Sequence, residues 1–369
     1  MTVWWFAPHP SAPTGVADYA ASLFTELKKH GKLRTSGDAS DIPVYHIGNN
    51  HLHRPMYEAA LRRPGIVVLH DALLHHYYLG SFRQKEYLEE FTYNYGEFSR
   101  VEAESLWRDR SLSAQDPRYF ERPLLRRIVS GAQAVVVHNR AAARVVREHA
   151  PLVPVREIPH FYEAIEPPSP DRIAAFRQQL EVPKNGFVFA IFGYLRESKR
   201  LIPILEAFHR LHRLHPETRL LIAGQFVSQD LAKGAHELMD RSSVLILPHL
   251  PEDIFNLAAA SVDCCLNLRY PTAGETSGIA IRLMGAGKPV VVTEGEEWAR
   301  FPEEAVFRIP AGLPEREALF QAMSALTLRP DLARQMGVYA ALHVQRYHSL
   351  SGVGTEYWNF LCHTYASRR

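Results

Sequence analysis

The sequence predicts an α/β protein built from two doubly wound halves. Three observations predict it. Short apolar runs alternate with helical patterns along the chain, the arrangement of parallel strands joined by crossover helices. At 369 residues the chain is too long for one small core, so two domains are expected. A proline cluster, Pro167-Pro168-Ser169-Pro170, breaks the pattern near the middle and cannot continue helix or sheet. Two such halves would set a ligand cleft between the carboxyl ends of their sheets.

The strands expected in the first half are Val3–Ala7, Val44–Ile47, Ile66–Leu69, Ala134–Val137 and Val155–Ile158. Those in the second are Phe187–Phe192, Arg219–Ala223, Val244–Leu247, Cys264–Leu268, Pro289–Val292 and Val306–Ile309. Residues 81–127 are polar, aromatic and arginine-rich without a clear strand, and read as a helical insertion in the first domain. Tyr87, Phe91, Tyr95 and Phe98 recur there at helical spacing, and core packing is favoured over a membrane or partner face. The stretch 353–365 reads as a final helix with a large aromatic face, from Tyr357 and Trp358 to Tyr365.

Composition narrows the function classes. A formal net charge of +2 provides no global field toward nucleic acid or anionic lipid. Three cysteines, Cys264, Cys265 and Cys362, form neither a disulfide framework nor a metal spacing, and a reducing cytoplasm fits them. No apolar run reaches the length of a spanning helix, and the N-terminus shows no basic leader.

Four motifs could carry chemistry. Pro13-Thr14-Gly15-Val16-Ala17-Asp18-Tyr19 follows the first strand and opens a helix; Gly15 allows positive φ and close approach to a ligand. An ordinary strand-to-helix turn would look the same, and the motif is neither a dinucleotide fingerprint nor a P-loop. His70-Asp71 ends the run Ile66–Leu69, where parallel sheets place their sites. A histidine there can bond a sugar hydroxyl or carry a proton, although with 19 histidines any single one is more often structural. His75 and His76 follow, but no further ligands complete a metal site. Gly193 ends the first strand of the second half, and Arg196, Lys199 and Arg200 follow before the next helix. A planar fork and a point charge at a strand end favour diphosphate over an idle solvated run. Finally, Glu275-Thr276-Ser277-Gly278-Ile279 forms a turn at a helix start, with Arg282 two turns on. The free N–H groups suit an anion, and the acid suits sugar or ribose hydroxyls or the helix dipole. Side by side, these suggest a nucleotide-sugar.

Together and in order, TGVADY, VVLHD, FGYLRESK and GETSGIAIRLMGAGKPVVV resemble a retaining glycosyltransferase of family GT4, with the GT-B fold, over essentially the whole chain. The resemblance implies two Rossmann-like domains facing each other across a cleft. The acceptor-side domain would span 1–165, with the helix at 353–369 packing back onto it, and the donor-side domain 171–352. It implies that Gly15 faces the donor diphosphate and acceptor, with Thr14, Asp18 and Asp71 on the acceptor side. His70 would contact the donor sugar, Arg196 and Lys199 the diphosphate, Glu275 the sugar hydroxyls, and Gly193 and the Thr276–Ile279 backbone the phosphates. The family's second glutamate, eight positions after the first, is Leu283 here, preceded by Arg282. The chain thus carries a GETS…R form of the region.

The implied reaction moves a hexose, with retention and without a metal or other cofactor, from a GDP- or UDP-linked sugar to a hydroxyl. The acceptor would be a glycan, a lipid-linked or a small molecule, in bacterial glycan synthesis. A donor phosphate oxygen would take the acceptor's proton. Localisation is expected to be cytoplasmic, peripheral to the plasma membrane if the acceptor is lipid-linked, with no nucleic-acid partner. Two alternatives stand beside this reading: a nucleotide-sugar 2-epimerase-like enzyme on the same fold, and a non-catalytic glycosyltransferase-like interaction protein.

Overall fold

The computed structural model describes residues 1–38, 41–164 and 166–367. It divides into two compact units. The first comprises Met1–His160, the short segment Pro271–Thr276 and the C-terminal stretch from Leu350; the second comprises Phe161–Tyr270 and Ser277–Ser349. Ile165, where the first domain was expected to end, and residues 368–369 of the expected last helix lie outside the described residues.

In the first unit six strands run parallel: β1 (Thr2–Phe6), β2 (Lys32–Arg34), β3 (Ile42–Ile47), β4 (Ile66–Leu69), β5 (Ala134–Val137) and β6 (Val155–Glu157). Their order is β2-β1-β3-β4-β5-β6, so the connections reverse direction between β1 and β3. Tyr45, Ile47, Val67, Leu69, Val135 and Val137 bury one sheet face against the main cluster. The even-numbered residues of the same strands point to the other face, because side chains alternate. The strand β2 was not expected. Lys32-Leu33-Arg34 is short and polar, and it survives only as an edge strand paired to β1.

The second unit has β7 (Val188–Phe192), β8 (Arg219–Ala223), β9 (Val244–Leu247), β10 (Cys264–Asn267), β11 (Val290–Thr293) and β12 (Val306–Ile309). The parallel order β12-β11-β10-β7-β8-β9 is the doubly wound pattern with its switch point between β7 and β10. Both faces are covered. Phe189, Ile191, Leu220 and Ile222 enter one cluster, and Val188, Ala190, Leu221 and Val290 enter the other.

Three further features differ from the sequence expectations. The break from the first unit falls between His160 and Phe161. Tyr162 already belongs to the second unit: its N–H donates to the His348 carbonyl at 2.6 Å, and its ring fills the space a Cβ at Gly285 would need. The proline cluster then leads into a helix, Pro170–Gln179, because proline is tolerated in a first turn and Ser169 caps it. In the insertion, Tyr87 and Phe91 are buried but Phe98 is fully exposed. Gly96, at φ +87°, ends the helix Gln84–Tyr95, so the spacing no longer counts along one helix.

The insertion is tied to the first unit by His75. Its Nδ1–H donates to the Arg122 carbonyl at 3.0 Å, which leaves Nε2 to accept from the Tyr87 hydroxyl at 2.7 Å. Burial pushes this imidazole down to about 3, so it is neutral at physiological pH. The helix Leu350–Ala366 packs on the helix Gly15–Leu27. There the Tyr357 and Tyr19 hydroxyls lie 3.0 Å apart, and Trp358 covers Gly31.

Candidate active site

The first unit gathers imidazoles at the carboxyl ends of its central strands. His46 in β3 pairs in register with Val68, and Val68 with Val136. Two residues further along β4 and β5 come His70 and His138, on the same sheet face by alternation. Tyr19, from the helix after β1, lies among them. Its ring is 4.9 Å from His70, 5.1 Å from His138 and 4.9 Å from His160. His46 Nδ1 and His70 Nε2 share a hydrogen bond of 2.9 Å. Burial, then the neighbouring imidazoles, holds His46 and His70 well below the ordinary histidine range. His70 is therefore held as a neutral hydrogen-bonding group at physiological pH.

Gly15 is the first residue of its helix, and Thr14 is the cap whose Oγ1 accepts from Val16 N–H. Gly15 has no positive φ, and a Cβ there would meet nothing within 4 Å. The conformational reason offered for this glycine therefore fails, and open space beside it remains. Asp18 is exposed in the first helical turn. Asp71 Oδ2 accepts from Asn49 N–H at 2.7 Å.

The segment Pro271–Thr276 packs with the first unit and is pinned there at several points. Ala72 N–H, two residues after His70, donates to the Ala273 carbonyl at 2.8 Å. Asn139 Nδ2 donates to the Gly274 carbonyl and to Thr276 Oγ1, both at 2.9 Å. Gly274 takes φ +71°, and a Cβ there would lie 2.8 Å from that of Ala72, so only glycine fits. Glu275 is part-exposed, and its Oε2 accepts from Ala273 N–H at 2.9 Å. The loop thus brings Glu275 to the same end of the sheet as His70.

In the second unit the switch-point strands carry the rest. Gly193, just past β7, has φ +88°, and a Cβ there would lie 2.5 Å from Ile279 Cδ1 and 3.2 Å from Lys199 Nζ. Lys199 is 6 % exposed and donates from Nζ to the Phe192 carbonyl. Arg196 is exposed and has no partner among the described residues. Arg200, the third cation, is committed: it takes φ +59°, binds Glu315 through two nitrogens, and lies over the Tyr270 ring.

Beyond β10, Ser277 caps the helix Gly278–Gly285, accepting from Ala280 N–H and donating to Asn267 Oδ1 at 3.1 Å. The N–H groups of Gly278 and Ile279 have no partner among the described residues. Asn267 Nδ2 is buried without one. Arg282 is engaged by Glu252 and by Asn256 Oδ1, and stacks 4.0 Å over Phe255.

Sequence reasoning missed His46, His138, Asn139 and Asn267. The first three had a visible signal. His46 is a polar ring within the apolar run Val44–Ile47, and VVVHN puts an imidazole and an amide at the end of another. Among the described residues no group of three or more histidine, cysteine, aspartate or glutamate side chains could hold a metal, and no helix is long and apolar enough to cross a membrane.

Two parallel doubly wound sheets, each with polar groups at the carboxyl ends of its switch-point strands, are the two Rossmann-like domains of the GT-B fold. Residues 172–342, just under half of the chain, match the family described as glycosyl transferases group 1, and with the fold this match indicates a glycosyltransferase. No curated protein matches by sequence. Among solved structures the chain is similar to Anabaena HepE in complex with UDP and glucose, at 16 % identity and TM-score 0.68 over 98 % of this chain and 99 % of that one. It is similar to sucrose-phosphate synthase from Thermosynechococcus elongatus at 14 % identity and TM-score 0.67, covering 100 % and 96 %. It is also similar to WaaG, a glycosyltransferase of lipopolysaccharide biosynthesis, at 15 % identity and TM-score 0.63, covering 98 % of each. At these identities the likeness speaks for the fold.

Proposed function

We propose that this glycosyltransferase moves a hexose from a nucleoside diphosphate sugar to a hydroxyl acceptor, with retention and without a metal. The observation that carries the reading is the second unit's switch point. There an unpartnered Arg196, the buried Lys199 and the unpaired N–H groups of Gly278 and Ile279 stand at the ends of adjacent strands and the helix after them. Cations and oriented N–H groups stabilise the charge that builds on a leaving diphosphate. Gly193 leaves backbone room beside Lys199.

In the first unit a neutral His70 and the Glu275 carboxylate suit sugar hydroxyls, one donating and one accepting. Thr14, Gly15, Asp18 and Asp71 would face the acceptor, which needs a hydroxyl and no special nucleophile. The acceptor's proton would pass to a donor phosphate oxygen as the glycosidic bond to that oxygen breaks. In this reading Arg282, on the donor side, holds the Glu252 carboxylate, and that acid would meet a nucleoside hydroxyl. HepE was solved with UDP and glucose, which makes a uridine donor the first to try. A cytoplasmic site of action and a role in bacterial glycan synthesis belong to the same proposal.

The test is calorimetry and thermal shift with UDP, UDP-glucose, GDP and GDP-mannose, with and without EDTA. Ligand at 100 times Kd should stabilise by about 2.7 kcal/mol. Binding by one base class, unaffected by EDTA, followed by a product of unchanged anomeric configuration, is expected. No binding to any of the four would overturn the reading, and an epimerised donor without acceptor would replace it.

A further inference from the structure

We infer that His46 is a positioning residue: it fixes the tautomer of His70 so that His70 offers its Nδ1–H as a donor to the sugar of the bound substrate. The tautomer part stands on the free protein, and the sugar part rests on the function proposed above.

Carbonyl partners settle two neighbouring imidazoles. His53 Nδ1–H donates to the His46 carbonyl at 3.1 Å, and His138 Nδ1–H donates to the Ile158 carbonyl at 3.0 Å. A carbonyl can only accept, so each neutral ring keeps a bare lone pair on Nε2. Both of those nitrogens are buried without a partner.

The bond between His46 Nδ1 and His70 Nε2, 2.9 Å, has two possible directions. If His70 donated, neutral His46 would carry its proton on Nε2. That atom is fully buried and unpartnered, so an N–H would be stranded in the interior, an arrangement folded proteins avoid. If His46 donates, its Nε2 is a bare lone pair, like those of His53 and His138. His70 Nε2 then accepts, and the His70 proton must sit on Nδ1.

The geometry leaves that Nδ1 available. His70 is part-exposed, and its backbone N–H is already given to the Ile47 carbonyl. Its Nδ1 has no protein partner among the described residues and is not among the atoms buried without one. Trp5 packs 4.3 Å from the His46 ring, and Tyr19 meets the His70 ring edge-on at 4.9 Å, so neither ring can turn to exchange its nitrogens without breaking the packing.

The experiment is long-range 1H–15N correlation on the full chain labelled at histidine, in wild type, His46→Leu and His46→Asn. The Asn amide can donate in place of Nδ1–H. Wild type and His46→Asn should show His70 protonated on Nδ1, and His46→Leu should move that proton to Nε2. In parallel, UDP and UDP-glucose are titrated, or GDP and GDP-mannose if the protein prefers guanine. His46→Leu should weaken the nucleotide-sugar about tenfold and leave the bare nucleotide unchanged, with His46→Asn restoring it. An Nε2-protonated His70 in wild type, which needs no variant to fold, overturns the inference. So does an equal loss for nucleotide and nucleotide-sugar. If wild type binds no nucleotide at all, the proposed function falls while the NMR arm still decides the tautomer.

Discussion

The two switch points of this chain hold polar groups at the same place in similar sheets, yet they keep opposite kinds of group. In the first unit the carboxyl ends of β3, β4 and β5 present imidazoles that burial keeps neutral. In the second, the end of β7 leads to one exposed guanidinium and one buried ammonium seated on a backbone carbonyl. Neutral rings can be enclosed by Trp5 and Tyr19 at modest cost, whereas a buried cation needs oxygen atoms around it. The difference sorts the chemistry: the imidazole end suits hydroxyl groups and the cationic end suits phosphate.

Acid should break the comparison with the largest effect. His53 and His138 titrate at about 4 in the folded first unit because of burial, against about 6.5 for a free histidine. Between those values the unfolded chain binds more protons, so stability rises with pH. The stability present above pH 6.5 is thus lost as pH falls and is gone by about 4, at on the order of 3 kcal/mol for each ring. Trp4, Trp5, Trp107 and Trp358 report the first unit and Trp298 the second. In Trp298→Phe, fluorescence should follow the loss of the first unit on acidification to pH 4, ahead of far-UV signal from the second. Simultaneous collapse of both signals would show that the imidazole cluster is not what sets acid sensitivity.

The cationic end should answer to Lys199→Ala. Removing one charge-stabilising donor in such a site costs about a hundredfold to a thousandfold in kcat. Turnover at saturating donor is the measurement, and near-normal kcat would remove Lys199 from the chemistry. The melting temperature should be read alongside, since the Phe192 carbonyl also loses its partner.

These two ends were unequally legible in the sequence. Gly193, Arg196 and Lys199 lie within one stretch after a clear apolar strand, and local pattern was enough to find them. The imidazole end is assembled from separate strands. His70 and His138 each follow an apolar run and His46 lies within one, but nothing local says that three rings will share one face; that needs the parallel register. The bonds of Asn139 to residues 274 and 276 span more than 130 positions and have no sequence signature. The edge strand β2 lacked the apolar run that revealed the others, and Phe98 fell out of its stripe because Gly96 reset the helix.

Asn139 offers the next, smaller test. Asn139→Asp keeps the Oδ1 that caps the helix Arg140–His149 by accepting from Ala142 N–H. It removes the N–H donors to the Gly274 carbonyl and Thr276 Oγ1. Freeing the loop that carries Glu275 should lower kcat/KM about tenfold, with stability reduced by about 1–2 kcal/mol. Asn139→Ala loses the cap as well and should cost about 1 kcal/mol more by chemical denaturation. Activity unchanged in Asn139→Asp would mean that the loop's position does not matter to the reaction.

The smallest effects should separate two arginines of the second unit. Arg196 is exposed and without a partner, so Arg196→Ala removes nothing the fold relies on, and exposed substitutions of that kind stay within about 0.5 kcal/mol. Its expected signature is about tenfold weaker nucleoside diphosphate binding, with affinity losing part of its dependence on salt. Arg282 is the reverse case, held by Glu252 and Asn256 and stacked on Phe255. Arg282→Ala should lower the melting temperature through lost packing and leave Glu252 unanchored, so nucleoside affinity falls only by a few-fold. If Arg196→Ala instead destabilised the protein and spared binding, the cation that looks free would be structural, and the diphosphate would have to be held by Lys199 and the helix N–H groups.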